Sequence, residues 1–179
     1  MAEFLWIFWS FSLLGWGLER LFAAVTRSPR RRRRCLLLLP LCPVYGLGMA
    51  AVLALPPSLR SGWPLYLWGG LTATSVEYIY HWWGETFLSV SFWDYTGVFG
   101  NLRGRVCLPF SLAWGLLLFP AVYLVTPPVL ALADRVPVGV TWWLLLAFTA
   151  DAVCSLRFLA VTHDLEALRA VIWPVSADR

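Results

Sequence analysis

The hydrophobic positions of this chain fall in five long runs separated by short polar breaks. The first covers about residues 4–25 and stops at a basic block, Arg27 with Arg30, Arg31, Arg32, Arg33 and Arg34. The second covers about 35–55, interrupted by Pro40 and Pro43 and closed by Pro56-Pro57. A third occupies about 63–83, a fourth about 106–125 before Pro127-Pro128, and a fifth about 140–161 before a polar tail that begins at His163. A helix that crosses a bilayer needs about 20 apolar residues, so each run is long enough to do so. The pattern predicts an all-α fold, a polytopic membrane helical bundle of about five transmembrane helices. Residues 1–165 form one integral membrane domain, and 166–179 a short cytoplasmic tail.

One stretch fits neither a run nor a short break. Residues 84–105 are as long as a span but hold Glu85, Asp94, Asn101, Arg103 and Arg105 together with Gly97, Gly100 and Gly104. Irregular polar backbone is tolerated at membrane depth only where protein or a water-filled cavity encloses it. The segment between the third and fourth spans is therefore expected to be re-entrant or interfacial.

Composition strengthens the membrane reading. Of 179 residues 60% are hydrophobic and 13% charged, and the mean hydropathy is +0.70, whereas ordinary soluble domains carry roughly 25% charge. Membrane lipids are the expected surroundings. Placing the arginine block in the cytoplasm puts the N-terminus outside and the C-terminus inside. Arg103, Arg105, Arg169 and Arg179 then also fall inside, and only Arg60 and Arg135 outside, as the excess of basic residues in cytoplasmic loops requires. Beside a span, that block orients the chain and is not a nucleic-acid site. The first run is expected to be a span, because a signal peptide would carry a basic leader and small residues where Glu19-Arg20 stands.

Charge and cysteine content narrow the chemistry. The net charge of +4 is carried by arginine alone, and no lysine occurs. This excludes a lysine nucleophile and the G-x-x-x-x-G-K-[ST] phosphate loop, so any nucleotide would be bound by another subunit. Cys35, Cys42, Cys107 and Cys154 form no C-x-x-C pair and read as reduced packing residues. No cofactor is expected.

The informative positions are ionisable groups inside the apolar runs. Glu19 lies in the last third of the first, Glu77 deep in the third, and Asp151 near the middle of the fifth. A charge at the centre of a spanning helix costs roughly 2.5–3.5 kcal/mol on insertion scales, so such groups are paired, protonated or bathed in a polar cavity. Two readings stand. In one they line a functional cavity; in the other Glu19 pairs with Arg20 or Arg105, and Asp151 with Arg157 or a backbone group. Glu77, His81 and Glu85 recur at four-residue steps along one helical stripe and offer oxygen and nitrogen ligands to a divalent metal. Their spacing matches no metal motif, and no metal is assigned. Gly15-x-Gly17, Gly46-x-Gly48 and Ser111-x-x-x-Gly115 are expected to let helices approach closely. Trp16 and Trp114, deeper than the interfacial tryptophans, either wall a cavity or fill the core, and core filling is the expected role.

A series of short motifs runs in order through these segments. They are Gly15-Trp16-x-x-Glu19, Cys42-Pro43-Val44-Tyr45-Gly46-x-Gly48, Glu77-Tyr78, Trp93-Asp94-Tyr95, and Asn101-x-x-Gly104-Arg105-Val106-Cys107-Leu108-x-x-Ser111-x-x-x-Gly115. Together they resemble the ABC-transporter permease family of the CmpB type. The resemblance implies a bacterial inner-membrane transport protein and singles out Glu19, Cys42, Tyr45, Glu77, Tyr78, Trp93, Asp94, Tyr95, Asn101, Arg105 and Ser111.

The expected substrate or ion site is Glu19, Tyr45, Glu77, Tyr78, Asp94, Asn101, Arg105 and Asp151, near the cytoplasmic half of the bundle, binding a cation, a proton or a small solute. Five spans are few for a complete pathway, so a homo-oligomer or a partner subunit is expected. Two alternatives stay open. One is an integral membrane enzyme acting on a lipid or amphiphile, with Arg105 holding a phosphate or carboxylate. The other is a non-catalytic assembly subunit. No catalytic residue is assigned.

Overall fold

The computed structural model describes residues 1–26 and 35–170. The arginine block on which the orientation rests, and residues 171–179 of the tail, lie outside the described residues. Among those described, every regular element is helical, and the one strand-like pairing is an isolated antiparallel bridge, Leu102 with Val106. Six helices follow one another, with a single 3-10 turn, Pro57–Leu59, between the second and third. They are α1 (Ala2–Thr26), α2 (Pro43–Leu53), α3 (62–88), α4 (Leu108–Ala133), α5 (Val138–Thr162) and the short α6 (Leu165–Ala170). Of these, α4 and α5 are long and apolar enough to cross a bilayer.

The second apolar run does not fold as one helix. Its helix begins only at Pro43 and ends at Leu53, and residues 35–42 are irregular. Proline is welcome in the first turn of a helix, but it pushes the residue before it out of the helical region, and Pro40 and Pro43 do this in succession. The backbone freed in this way is satisfied by the rest of the protein. Asp151 on α5 accepts from Leu38 N at 3.1 Å and from Leu39 N at 3.0 Å, and Cys42 N donates to the Ser12 carbonyl of α1 at 2.9 Å.

The third and fourth runs give longer helices than expected. Gly84–Leu88 continues α3 as a wider π turn until Ser89, which ends the helix in the left-handed conformation with φ of 56°. In α4, Pro127-Pro128 does not close the helix, which runs on to Ala133. The strain is absorbed by a π-helical turn, Ala121–Val125, after which the two prolines sit in a new first turn, and the Thr126 hydroxyl donates to the Ala121 carbonyl at 2.8 Å.

Two apolar clusters hold the helices together. One joins α1, α2, α3 and α4 through Ile7, Phe11, Met49, Val52, Leu65 and Leu118. The other gathers Leu36, Cys42, Phe92, Trp93, Leu159 and Leu168 under the 89–107 loop. Leu165 and Leu168, on either side of the expected boundary between domain and tail, are both buried in the second cluster. The helices meet at glycines. A Cβ on Gly46 would fall 2.7 Å from Phe8 Cδ2, one on Gly15 2.6 Å from Tyr45 Cβ, and one on Gly70 3.3 Å from Gly115 Cα.

Candidate functional site

Glu77 sits on the inward face of α3 and is 1% exposed. Its Oε2 accepts from Trp114 Nε1 of α4 at 2.8 Å, and its Oε1 from the Tyr95 hydroxyl at 3.3 Å. Tyr95 comes from the 89–107 loop, so three elements converge on one carboxylate. Glu19, on α1, accepts from the Tyr45 hydroxyl of α2. The two carboxylates are linked by the rings that serve them, for the Tyr45 and Trp114 centroids lie 5.0 Å apart. The inner motif is thus a layered one: a carboxylate, a tyrosine, a tryptophan and a second carboxylate.

A second polar group lies at the loop end of α3. Arg105 donates from Nε to Glu85 Oε2 at 2.7 Å and from Nη1 to the Tyr78 hydroxyl at 2.8 Å, with its guanidinium 5.1 Å from the centre of the Tyr78 ring. The other Glu85 oxygen lies 3.1 Å from His81 Nε2, which is also 3.3 Å from the Ser91 hydroxyl. His81 is 1% exposed, and its Nδ1 is buried with no partner among the described residues. The bonds from Glu85, and then from Tyr78, push the Arg105 pKa up, so this guanidinium is a fixed positive charge.

The loop that carries Arg105 is built by its own side chains. Asp94 Oδ1 accepts from Thr96 N at 2.7 Å, which closes an Asx turn, and Asn101 Oδ1 accepts from Gly104 N at 3.2 Å. Gly104, at φ of 70°, passes its backbone beside Asp94 and Thr96, where a Cβ would meet Asp94 Oδ1 at 3.0 Å. Tyr95 N bonds the Gly104 carbonyl at 2.8 Å, and Trp93 Nε1 the Arg105 carbonyl at 2.7 Å. The bonds from Thr96 hold the Asp94 carboxyl below the usual carboxylate range.

The structure therefore brings Glu19, Tyr45 and Glu77 into one group and Tyr78 and Arg105 into its neighbour, the two joined through adjacent residues of α3, Glu77 and Tyr78. Asp94 and Asn101 shape the loop between them, with both side chains bonded to loop backbone. Asp151 stands apart, holding residues 38 and 39 and accepting from the Ser155 hydroxyl at 3.1 Å. Trp114, expected to wall a cavity or fill the core, donates to the central carboxylate. Glu85 joins Arg105 to His81. Among the described residues no group of three or more His, Cys, Asp or Glu side chains converges to hold a metal ion.

No curated protein and no solved structure matches the chain. One family model does, over residues 6–156, a span that contains every residue of both polar groups. The chain belongs to that family, described as "Putative ABC-transporter type IV", the CmpB type, and is an ABC-transporter-type membrane protein.

Proposed function

We propose that the chain is a permease-type transport subunit in which Glu77, with Glu19, Tyr45 and Trp114, binds a cation or a small cationic solute. The observation that carries this reading is the burial of Glu77 in the middle of α3 with donors aimed at both of its oxygens. Retaining a carboxylate at such a depth is costly, and ionisable groups inside membrane bundles mark substrate or ion pathways by default. The broken second segment and the folded loop after α3 fit the same reading, since transporter sites form where helices are interrupted at membrane depth.

In this proposal the chain crosses the membrane about five times, with α2 and the irregular residues before it serving as the second, broken crossing. The N-terminus is outside, and the 89–107 loop faces the cytoplasm with Arg103 and Arg105. A second copy or a partner subunit completes the pathway and supplies any nucleotide binding. The test is flux of monovalent and organic cations into proteoliposomes that contain the purified chain, with and without its partner. Glu77→Gln, which keeps shape and one acceptor, is expected to lower flux at least tenfold. Absence of flux in the parent protein, or equal flux in the variant, would refute the proposal.

A further inference from the structure

Between α1, α2 and α4 lies a cavity of about 620 Å³, within the range of roughly 300–1,000 Å³ typical of small-molecule sites. Leu14, Leu18, Met49 and Leu117 contribute apolar wall, and four aromatic residues, Phe11, Trp16, Tyr45 and Trp114, line it as well. Gly17 and Gly48 make the room. Both line the cavity, and a Cβ built on either meets nothing within 4 Å. Glycines that admit a neighbouring helix behave differently here, as the crowding at Gly15 and Gly46 demonstrates.

The polar atoms of two of the wall aromatics are engaged behind the wall. The Tyr45 hydroxyl donates to Glu19 and Trp114 Nε1 to Glu77, and neither carboxylate lines the cavity itself. An occupant is therefore offered apolar side chains and π faces. A carboxylate accepting a hydrogen bond from a phenol or an indole enriches that ring in electron density and places negative charge behind it. Both effects strengthen the attraction of the ring face for a cation, worth about 2 kcal/mol or more when desolvated. Trp16 already carries such a contact, with the Arg20 guanidinium 5.3 Å from its ring centre.

We infer that this cavity binds lipophilic organic cations of the quaternary ammonium or phosphonium type. Such ions are bulky and apolar, carry a positive charge and need no hydrogen-bond acceptor, which matches each feature of the wall. An anionic amphiphile would meet the field of two carboxylates. A neutral acyl chain would gain nothing from them. The inference rests on the reading of the Glu77 group as a cation site and gives that site its ligand class.

The probe is radiolabelled tetraphenylphosphonium, bound at equilibrium to the purified full chain in lipid nanodiscs, with uncharged tetraphenylmethane as the isosteric competitor. Saturable binding is expected, with the uncharged compound competing at least tenfold more weakly. Tyr45→Phe keeps the ring but removes its bond to Glu19 and is expected to weaken binding several-fold. Gly48→Leu projects a side chain into the open space and is expected to abolish binding while leaving helix content and Tm intact. Gly17→Leu is the second cavity-filling variant, for use if Gly48→Leu does not fold. Absence of saturable binding would overturn the inference. So would equal competition by the uncharged compound, which would make the cavity a lipid slot, or full binding by a folded cavity-filled variant. Binding without Glu77-dependent flux would sink the transport proposal and leave this site standing. Glu77-dependent flux of another cation without phosphonium binding would sink this inference alone.

Discussion

Asp151 bonds the backbone of residues 38 and 39, the structural one of its two sequence readings, and its substitution separates that role from a part in the proposed transport site. Its two oxygens accept from Leu38 N at 3.1 Å, Leu39 N at 3.0 Å and the Ser155 hydroxyl at 3.1 Å. Hydrogen bonds to a charged group contribute about 1.5–3 kcal/mol each. Asp151→Asn keeps one acceptor but turns an amide donor toward a backbone donor, so it is expected to cost about 1.5–3 kcal/mol. Asp151→Ala orphans both backbone N–H groups, and the bond to Leu39, which is exposed, counts for less. The expected cost is about 2–4 kcal/mol on the same scale. For a chain of this size 1 kcal/mol moves Tm by about 2–4 °C, so Asp151→Asn should lower Tm by about 3–12 °C and Asp151→Ala by more. Thermal unfolding of the detergent-solubilised protein, followed by tryptophan fluorescence, reads the shift, and flux per folded molecule is measured in parallel. A Tm unchanged within about 1 °C together with loss of flux in Asp151→Asn would refute the reasoning and return Asp151 to the transport site.

Gly15→Ala, a change that stabilises an ordinary helix interior by up to about 1 kcal/mol, is expected to destabilise this protein by about 1–3 kcal/mol, read as a lower Tm, because its Cβ would strike the Tyr45 ring. The depressed Asp94 pKa contributes loop stability that is present above the unfolded value, near 3.9, and is lost as pH falls through the lower folded value. Protection of Thr96 N from hydrogen exchange, taken relative to the free-chain rate at each pH, should therefore fall on acidification below about pH 4 in the parent protein and be lost at every pH in Asp94→Ala. Arg105→Lys keeps the charge but cannot donate to Glu85 and Tyr78 as a planar fork, so it is expected to lower Tm, with Arg105→Ala lower still; equal values for parent and Arg105→Lys would show that charge alone suffices.

The helices were legible where apolar run length alone decides them. For α1 and α5 the expected limits lie within two residues of Ala2–Thr26 and Val138–Thr162, because nothing inside those runs competes with the helix. Proline interrupts the second run as expected but does not end the fourth. Near Pro40 and Pro43 the helix is lost, since Asp151 and Ser12, distant in sequence, take over the backbone bonds. At Pro127-Pro128 it survives, since Thr126 and a π turn repair it locally. Glu19 and Glu77 were legible because burying a carboxylate is costly whatever its partner. Trp114 was not, because an indole in an apolar run costs nothing until its one donor must find an acceptor. Asp94-x-Thr96 and Asn101-x-x-Gly104 carry local turn patterns, and their side-chain bonds are of that local kind.

The glycines that hold the bundle together and the groups proposed as its site are not separable features. Gly15 and Glu19 lie one turn apart on the same face of α1. The absence of a Cβ at Gly15 lets the Tyr45 ring lie across α1, and the hydroxyl of that ring then reaches Glu19. On the facing side, Gly70 and Gly115 bring α3 and α4 to near backbone contact, and the residue before Gly115 is the tryptophan that donates to Glu77. Each carboxylate thus receives a donor from a neighbouring helix that a glycine has admitted, and the two donor rings meet at a tilt between the pairs. A displacement of either helix pair by even an ångström changes the distance from ring to carboxylate and the separation of the rings together. The close packing is what sets the charge distribution behind the cavity wall, so variants at these glycines should alter ligand affinity and stability in parallel, whereas Gly17 and Gly48, which touch nothing, should alter affinity alone.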